Sequence, residues 1–88
     1  MTADQIRLSI KELVAEVTER EPDEVRDDAR LKEDLGVDSL LAMELMLLID
    51  KQFSIEIPEE EFDKLLTVDD AVPVVQRYLA ESALARGA

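Results

Sequence analysis

Apolar residues at spacings of three and four, the period of an α-helix, are the feature that most restricts the fold of this chain. Thr2 and Gln5 form a capping-box pattern in front of the first such segment, which predicts a helix over residues 3–18. Only two Gly and three Pro interrupt the 88 residues, so turn signals are few and a β-sandwich is disfavoured. An all-α fold is predicted. The shared face of the first helix contains Ile6, Ile10, Leu13, Val14 and Val17.

Three further helices are predicted by the same pattern. The second is predicted from Ser39 to about Gln52. A short third helix is predicted after Pro58, with Glu59–Glu61 favourably placed for its dipole. The fourth is predicted over about 68–84, and Pro73 within it predicts an irregular first turn or a start near the proline.

The connection between the first two helices, residues 19–37, is long and highly charged. Structureless loops of this length are uncommon in compact domains, so an ordered loop is expected. Val25, Leu31 and Leu35 are isolated apolar residues that would attach it to the core. Gly36 is expected to adopt a backbone angle that other residues resist.

The second helix has two apolar stripes where a surface helix needs only one. A domain of this size can hardly bury a helix on all sides, so one stripe is expected to be exposed for docking. The inward stripe is predicted to contain Leu45, Met46, Ile49 and Phe53. The outward stripe is predicted to contain Leu40, Met43 and Leu47, beside the charged residues Glu44, Asp50 and Lys51.

The composition excludes several functions. Without Cys or His, the chain has no disulfide, no thiolate ligand and no Ser-His-Asp triad. The acidic pairs do not match the calcium-loop pattern, so no metal site is expected. A net charge of −12 repels nucleic acid and anionic membranes, favours a monomer and steers the protein toward basic patches on partners. Neither a signal peptide nor an apolar membrane span is visible, so a cytoplasmic location is expected.

Among the four serines, Ser39 is distinctive because it opens a helix after an acidic N-cap, Asp38, and a glycine-bearing loop. Its position also fits an ordinary polar residue in a first helical turn. If Ser39 reacts, another protein must activate it, because the chain lacks a histidine base. A helix N-terminus would favour a phosphate group attached there.

The segment from Glu33 to Leu40, Glu-Asp-Leu-Gly-Val-Asp-Ser-Leu, resembles the attachment motif of acyl carrier proteins. The segments 44–53 and 55–60 resemble the residues on the C-terminal side of that motif in the family, and Thr67-Val68 opens the last helix as it does there. The likeness runs in order from about Ile6 to Leu79.

This resemblance implies a four-helix bundle with a short third helix. It implies that a phosphopantetheinyl transferase moves 4'-phosphopantetheine from coenzyme A onto Ser39, with Asp38 capping the helix and engaging the transferase. Partners would be an acyl-loading enzyme, a ketosynthase or an acyltransferase with basic docking patches. The residues implied to dock them are Leu40, Met43, Glu44 and Leu47. The residues implied to line or border an acyl-holding core are Leu45, Met46, Ile49, Phe53, Phe62, Val72 and Val75.

Leu41 and Lys51 stand where fatty-acid carriers usually have acidic residues, which leaves fatty-acid and polyketide biosynthesis both open. Residues 1–88 are expected to form a single carrier domain, with a core over about 3–82 and a loose C-terminal tail. Three alternatives remain: a carrier of aminoacyl or peptidyl groups for nonribosomal synthesis or cell-wall alanylation, an unmodified helical adaptor, and an acidic metal-buffering domain.

Overall fold

The computed structural model describes residues 1–87, with side chains described through residue 84. The predicted all-α fold with a short third helix is confirmed. Two of the helices are of the tighter 3₁₀ type, and the second of them is the short third helix of the bundle. The elements in order are α1 (Ala3–Thr18), the first 3₁₀ helix (Pro22–Glu24), α2 (Ser39–Phe53), the second 3₁₀ helix (Glu59–Lys64) and α3 (Val68–Gly87).

Helix α1 begins at the predicted capping box. The Thr2 hydroxyl accepts from the Gln5 amide at 3.1 Å, and the Gln5 side chain accepts from the Thr2 amide at 2.8 Å. The helix ends at Thr18, because Glu19 adopts a left-handed conformation with φ of 56°. Its inner face packs on both α2 and α3.

The connection between α1 and α2 is ordered, as predicted. Val25, Leu31 and Leu35 are all buried in the core. The Leu31 amide donates to the Leu66 carbonyl at 3.0 Å, and the Val68 amide donates to the Ala29 carbonyl at 3.2 Å. These hydrogen bonds fix the loop beside the start of α3, so the segment leading to α2 has a defined position.

Helix α3 begins at Val68 despite Pro73. The Thr67 hydroxyl accepts from the Asp70 amide at 3.2 Å, and the Asp70 carboxylate accepts from the Thr67 amide at 3.0 Å. The prediction of an irregular first turn or a start near Pro73 is therefore wrong. Pro73 has no amide hydrogen to donate to the carbonyl of Asp69, four residues before it. Both residues lie on the exposed side of the helix, so water can donate to that carbonyl instead.

The end of α3 lies beyond the predicted position near Leu84, because the helix continues to Gly87. Of the tail that was expected to be loose, Ala88 lies outside the described residues. Over residues 1–87, no helix combines the length and the apolar character needed to cross a bilayer.

Candidate functional site

Ser39 is the first residue of α2, and it is exposed. The predicted N-cap is confirmed: Oδ1 of Asp38 accepts from the Leu41 amide at 2.9 Å, and the Asp38 carbonyl accepts from the Ala42 amide at 2.8 Å. The first amides of a helix have no partner within it, so those of Ser39 and Leu40 are left for water or an anion. The Ser39 hydroxyl therefore stands at the positive end of the helix dipole.

The turn in front of Ser39 is held by its own backbone. Gly36 has φ of +68°, as predicted, and Val37 beyond it is buried. The Val37 amide donates to the Leu31 carbonyl at 2.8 Å. The Arg30 amide donates to the Asp34 carboxylate at 2.9 Å and, together with the Arg30 guanidinium, holds the pKa of Asp34 below its ordinary value. This closed turn sets where α2 begins.

The outward stripe predicted for α2 is exposed. The exposed fractions are 74% for Leu40, 52% for Met43 and 68% for Leu47, and Glu44 beside them is also exposed. The inward stripe, Leu45, Met46, Ile49 and Phe53, is buried. The helix thus presents an apolar strip to solvent along the side that begins at Ser39, and its docking role remains a prediction.

An open groove of about 860 Å³ lies beside Ser39. Asp38, Ser39 and Met43 form one wall, and Glu59 and Glu60 contribute to the facing wall on the second 3₁₀ helix. The groove therefore connects the exposed hydroxyl with the gap between α2 and that short helix.

A smaller, partly open cavity of about 130 Å³ adjoins this groove. Ala42 and Phe62 are among the residues that line both spaces. Of the seven residues implied to surround the acyl group, Leu45, Met46 and Phe62 line the cavity, whereas Ile49, Phe53, Val72 and Val75 are not among its lining residues. The sequence offered no reason to assign Ala42 to the site. Ala42 becomes part of the cavity wall because the second 3₁₀ helix lies opposite it. The full apolar lining is Leu31, Val37, Ala42, Leu45, Met46, Phe62, Leu65 and Leu66.

A buried carboxylate, that of Glu61 on the second 3₁₀ helix, lies between two largely exposed cations, one on the same helix and one on α3. The side chain of Glu61 is only 7% exposed, and Nζ of Lys64 donates to its Oε1 at 2.9 Å. Nη1 of Arg77 lies 3.8 Å from the other carboxylate oxygen. The Lys64 hydrogen bond, and after it the charges of Lys64 and Arg77, hold the pKa of Glu61 below its ordinary value. The Glu61-x-x-Lys64 spacing was the available signal, but the sequence reasoning assigned Glu61 only to the helix dipole.

Arg77 also lies over the aromatic ring of Tyr78, its neighbour in α3. The Arg77 guanidinium lies 5.4 Å from the centre of the Tyr78 ring. Burial, followed by the charge of Glu61, raises the pKa of the Tyr78 phenol. The second 3₁₀ helix, which forms the wall that faces α2, therefore has a charged contact with α3 through Glu61 as well as apolar packing on the core.

Comparison with known proteins identifies the family of this chain. The family profile described as "Phosphopantetheine attachment site" matches residues 9–72, most of the chain. An acyl carrier protein of Wolinella succinogenes is 43% identical over 67 residues, which cover 76% of this chain and 88% of that protein. The chain belongs to the acyl carrier protein family. A second relative, the acyl carrier protein of Thermosynechococcus vestitus, is 35% identical over 80 residues, 91% of this chain and 99% of that one.

The fold of the carrier matches that of a relative whose structure is solved. The acyl carrier protein from Enterococcus faecalis superposes with a TM-score of 0.71 at 29% identity, covering 89% of this chain and 99% of that one. Membership means that the chain is an acyl carrier bearing covalent 4'-phosphopantetheine, added by a phosphopantetheinyl transferase and used by biosynthetic enzymes.

The residues present fit that prosthetic group. Attachment needs an accessible serine hydroxyl, and Ser39 supplies one beside free helix amides that favour a phosphate. The matched region also contains Ser9 and Ser54. Ser9 lies within α1, and Ser54 is the left-handed C-cap of α2, at the opposite end from the groove.

Proposed function

We propose that Ser39 carries the phosphopantetheine arm. The observation that supports this most is the position of its exposed hydroxyl, at the N-terminus of α2 on a groove that adjoins an apolar cavity. The bound group supplies the terminal thiol that holds an acyl group as a thioester. The amides of Ser39 and Leu40 would stabilise the attached phosphate through the helix dipole. Asp38 holds these amides in place by capping the first turn.

The carrier itself performs no catalysis in this proposal. The chain has no His, the usual general base, so the proton acceptor for the Ser39 hydroxyl is proposed to come from the transferase. Asp38, exposed beside Ser39, is proposed to engage that enzyme. The thiol likewise arrives with the arm, which explains how a chain without cysteine holds a thioester.

Partner enzymes are proposed to dock on the exposed stripe of α2. Leu40, Met43 and Leu47 would form the apolar centre of the contact, and Glu44 would meet a basic residue at its rim. The net charge of −12 would steer the carrier toward basic patches. Acyl-loading enzymes, ketosynthases and acyltransferases of fatty-acid or polyketide biosynthesis are the proposed partners.

Residues 1–88 are proposed to form a single carrier domain in the cytoplasm. The radius of gyration is 12.5 Å, close to the ~12 Å of one compact domain of this length. The name that these relatives share, acyl carrier protein, favours an acyl cargo over an aminoacyl or peptidyl one.

Intact-mass measurement tests the attachment. The arm-free protein is incubated with coenzyme A, magnesium and a broad-specificity phosphopantetheinyl transferase. We expect the mass of one phosphopantetheine to be gained by the parent and by the matched control Ser54→Ala, and no gain in Ser39→Ala. Modification of Ser39→Ala, or no gain by the folded parent, would contradict the assignment.

A further inference from the structure

The groove beside Ser39 contains one lysine in otherwise acidic surroundings. Of the described residues that line the groove, Lys32 is the only cation. The carboxylates that line the same groove are those of Asp38, Glu59, Glu60 and Asp63. Acidic side chains thus outnumber the single cation, so most of the surroundings of Ser39 would repel a phosphate attached there.

The turn in front of Ser39 brings Lys32 near that serine. The Lys32 carbonyl accepts from the Gly36 amide at 3.2 Å, and the Leu31 carbonyl accepts from the Val37 amide at 2.8 Å. The chain therefore folds back on itself between Lys32 and Ser39, and both residues are exposed on the same groove. Because a lysine ammonium stands at the end of a flexible four-carbon stem, it can reach a group attached to a neighbour of this kind.

The ammonium of Lys32 takes no part in holding the fold together. Within residues 1–84, no ion pair includes Lys32. By contrast, a carboxylate oxygen lies 2.8–2.9 Å from the cationic groups of Arg7, Lys11 and Lys64. An ammonium with no carboxylate partner, placed on the groove that begins at the attachment residue, is available to bind a phosphate by a charge-assisted hydrogen bond.

We propose that the Lys32 ammonium binds the phosphate of the phosphopantetheine arm and so holds the base of the arm over the groove. The proposal rests on the assignment of Ser39 as the attachment residue. It adds to that assignment a residue of this chain that contacts the prosthetic group. Lys32 and the first amides of α2 would together offset the carboxylates around the phosphate.

The nitrogen resonances of the lysine side chains test the contact directly. Protein with isotope-labelled lysines is compared before and after the transferase adds the arm, and intact mass verifies complete loading. We expect the Nζ resonance of Lys32 to shift on loading and that of Lys51 to stay in place. Lys51 is the matched control because it is exposed, belongs to no ion pair within residues 1–84 and lies in the last turn of α2, at the opposite end from Ser39.

Substitution tests whether the charge of Lys32 is what matters. For each variant, the thermal unfolding midpoint is measured with and without the arm, so that effects of the substitution on the fold alone cancel. At low salt, Lys32→Gln is expected to lower the midpoint of the loaded form by about 3 °C more than that of the arm-free form. Lys51→Gln should lower both equally, and Lys32→Arg, which keeps the cation, should behave as the parent does. High salt should reduce the loss in Lys32→Gln, because it screens the charges.

Two results would overturn the proposal. One is an unshifted Lys32 Nζ resonance in the fully loaded parent. The other is a loaded-minus-arm-free difference that is the same in Lys32→Gln as in the parent, or one that Lys32→Arg fails to restore. Failure of the transferase to load the folded parent, or loading of Ser39→Ala, would instead overturn the attachment at Ser39 and this proposal with it. Intact mass alone reports that failure, so the two are distinguishable.

Discussion

Two residues just before Ser39 determine how its hydroxyl is presented. Asp38 closes the first turn of α2 through the Leu41 amide, and Gly36 turns the chain with a positive φ that most residues resist. Neither residue needs to contact a ligand in order to affect the position of the Ser39 hydroxyl. Their effects on stability and on attachment can therefore be measured separately.

Replacing the cap should cost stability. Asp38→Ala is expected to lower the free energy of unfolding by about 1 kcal/mol, because the Leu41 amide loses its acceptor. Asp38→Asn keeps an acceptor oxygen and should lose less. Urea unfolding of the arm-free protein measures both, and equal losses in the two variants would argue against a capping role. A transferase rate lowered as much in Asp38→Asn as in Asp38→Ala would support a role for the carboxylate charge.

Replacing the glycine should also cost stability, for a different reason. No atom lies within 4 Å of a Cβ built on Gly36, so Gly36→Ala creates no clash. The cost comes from the left-handed backbone alone and is expected to be about 1 kcal/mol. Gly36→Asn should be milder, since asparagine tolerates this conformation. Urea midpoints that are unchanged in Gly36→Ala would show that the turn relaxes freely.

Among the elements, the second 3₁₀ helix depends most on tertiary contacts. It has six residues, too few for stability of its own, and it forms a wall of both the groove and the cavity. Its attachment to the bundle combines the approach of Arg77 on α3 to Glu61 with the half-buried Phe62 and Leu65, which pack against the core. Loss of the buried carboxylate should therefore loosen this element before the bundle.

Glu61→Gln tests this attachment. The variant is expected to speed hydrogen exchange at the amides of residues 61–65 while α1 stays protected, because the charge that holds Lys64 and Arg77 is removed. The matched control Glu60→Gln changes an exposed carboxylate in the same run and should have no such effect. Equal exchange in both variants would refute the anchoring role.

The pH dependence of this anchor has a definite sign. The pKa of Glu61 is lowered in the folded state, so its contribution is complete above the unfolded pKa and is lost as the pH falls through the folded value. The difference in midpoint between the parent and Glu61→Gln should accordingly shrink on acidification. A difference in midpoint that grows at low pH would contradict the stabilising role of the ionised Glu61 carboxylate.

At the scale of the whole molecule, a charge network joins three parts of the chain. Nε of Arg7 on α1 donates to Oδ1 of Asp69 at the start of α3, at 2.9 Å. Nζ of Lys11 donates to Oδ1 of Asp27 in the long loop, also at 2.9 Å. The Lys11 hydrogen bond, with the charges of Lys11 and Arg7, lowers the pKa of Asp27. In a molecule with net charge −12, these cations offset repulsion among the carboxylates that they join.

Removing the centre of this network should destabilise the carrier in a salt-dependent way. Arg7→Gln is expected to lower the unfolding midpoint at low ionic strength, and the difference from the parent should narrow as salt is added, because screening shortens the range of charge interactions. The control is Arg20→Gln, an exposed arginine beyond the end of α1. A difference independent of salt would show that packing of the arginine stem, rather than its charge, is what matters.

The sequence by itself determined the local structure. Periodicity and the Thr2 and Asp38 caps located the starts of α1 and α2, because these signals act within one or two turns. The two stripes of α2 predicted which side would be exposed, since a small domain cannot cover both. The motif around Ser39 indicated the family, which the comparisons confirm.

The tertiary structure alone decided how distant parts meet. Sequence reasoning included Ile49 and Val72 around the acyl-holding core, but neither lines the cavity, which lies where α2, the second 3₁₀ helix and the end of the long loop meet. On this 3₁₀ helix Phe62 and Leu65 pack against the core and Glu61 lies 3.8 Å from Arg77 of α3, contacts between distant residues that no local pattern encodes.

Pro73 is a second case in which the tertiary structure decided the outcome, because the helix tolerates a proline that the sequence indicated would disturb it. The energetic cost of a proline inside a helix depends on whether water reaches the carbonyl that has lost its amide partner. Here that carbonyl belongs to Asp69 on the exposed side of α3, which the residue type alone does not indicate.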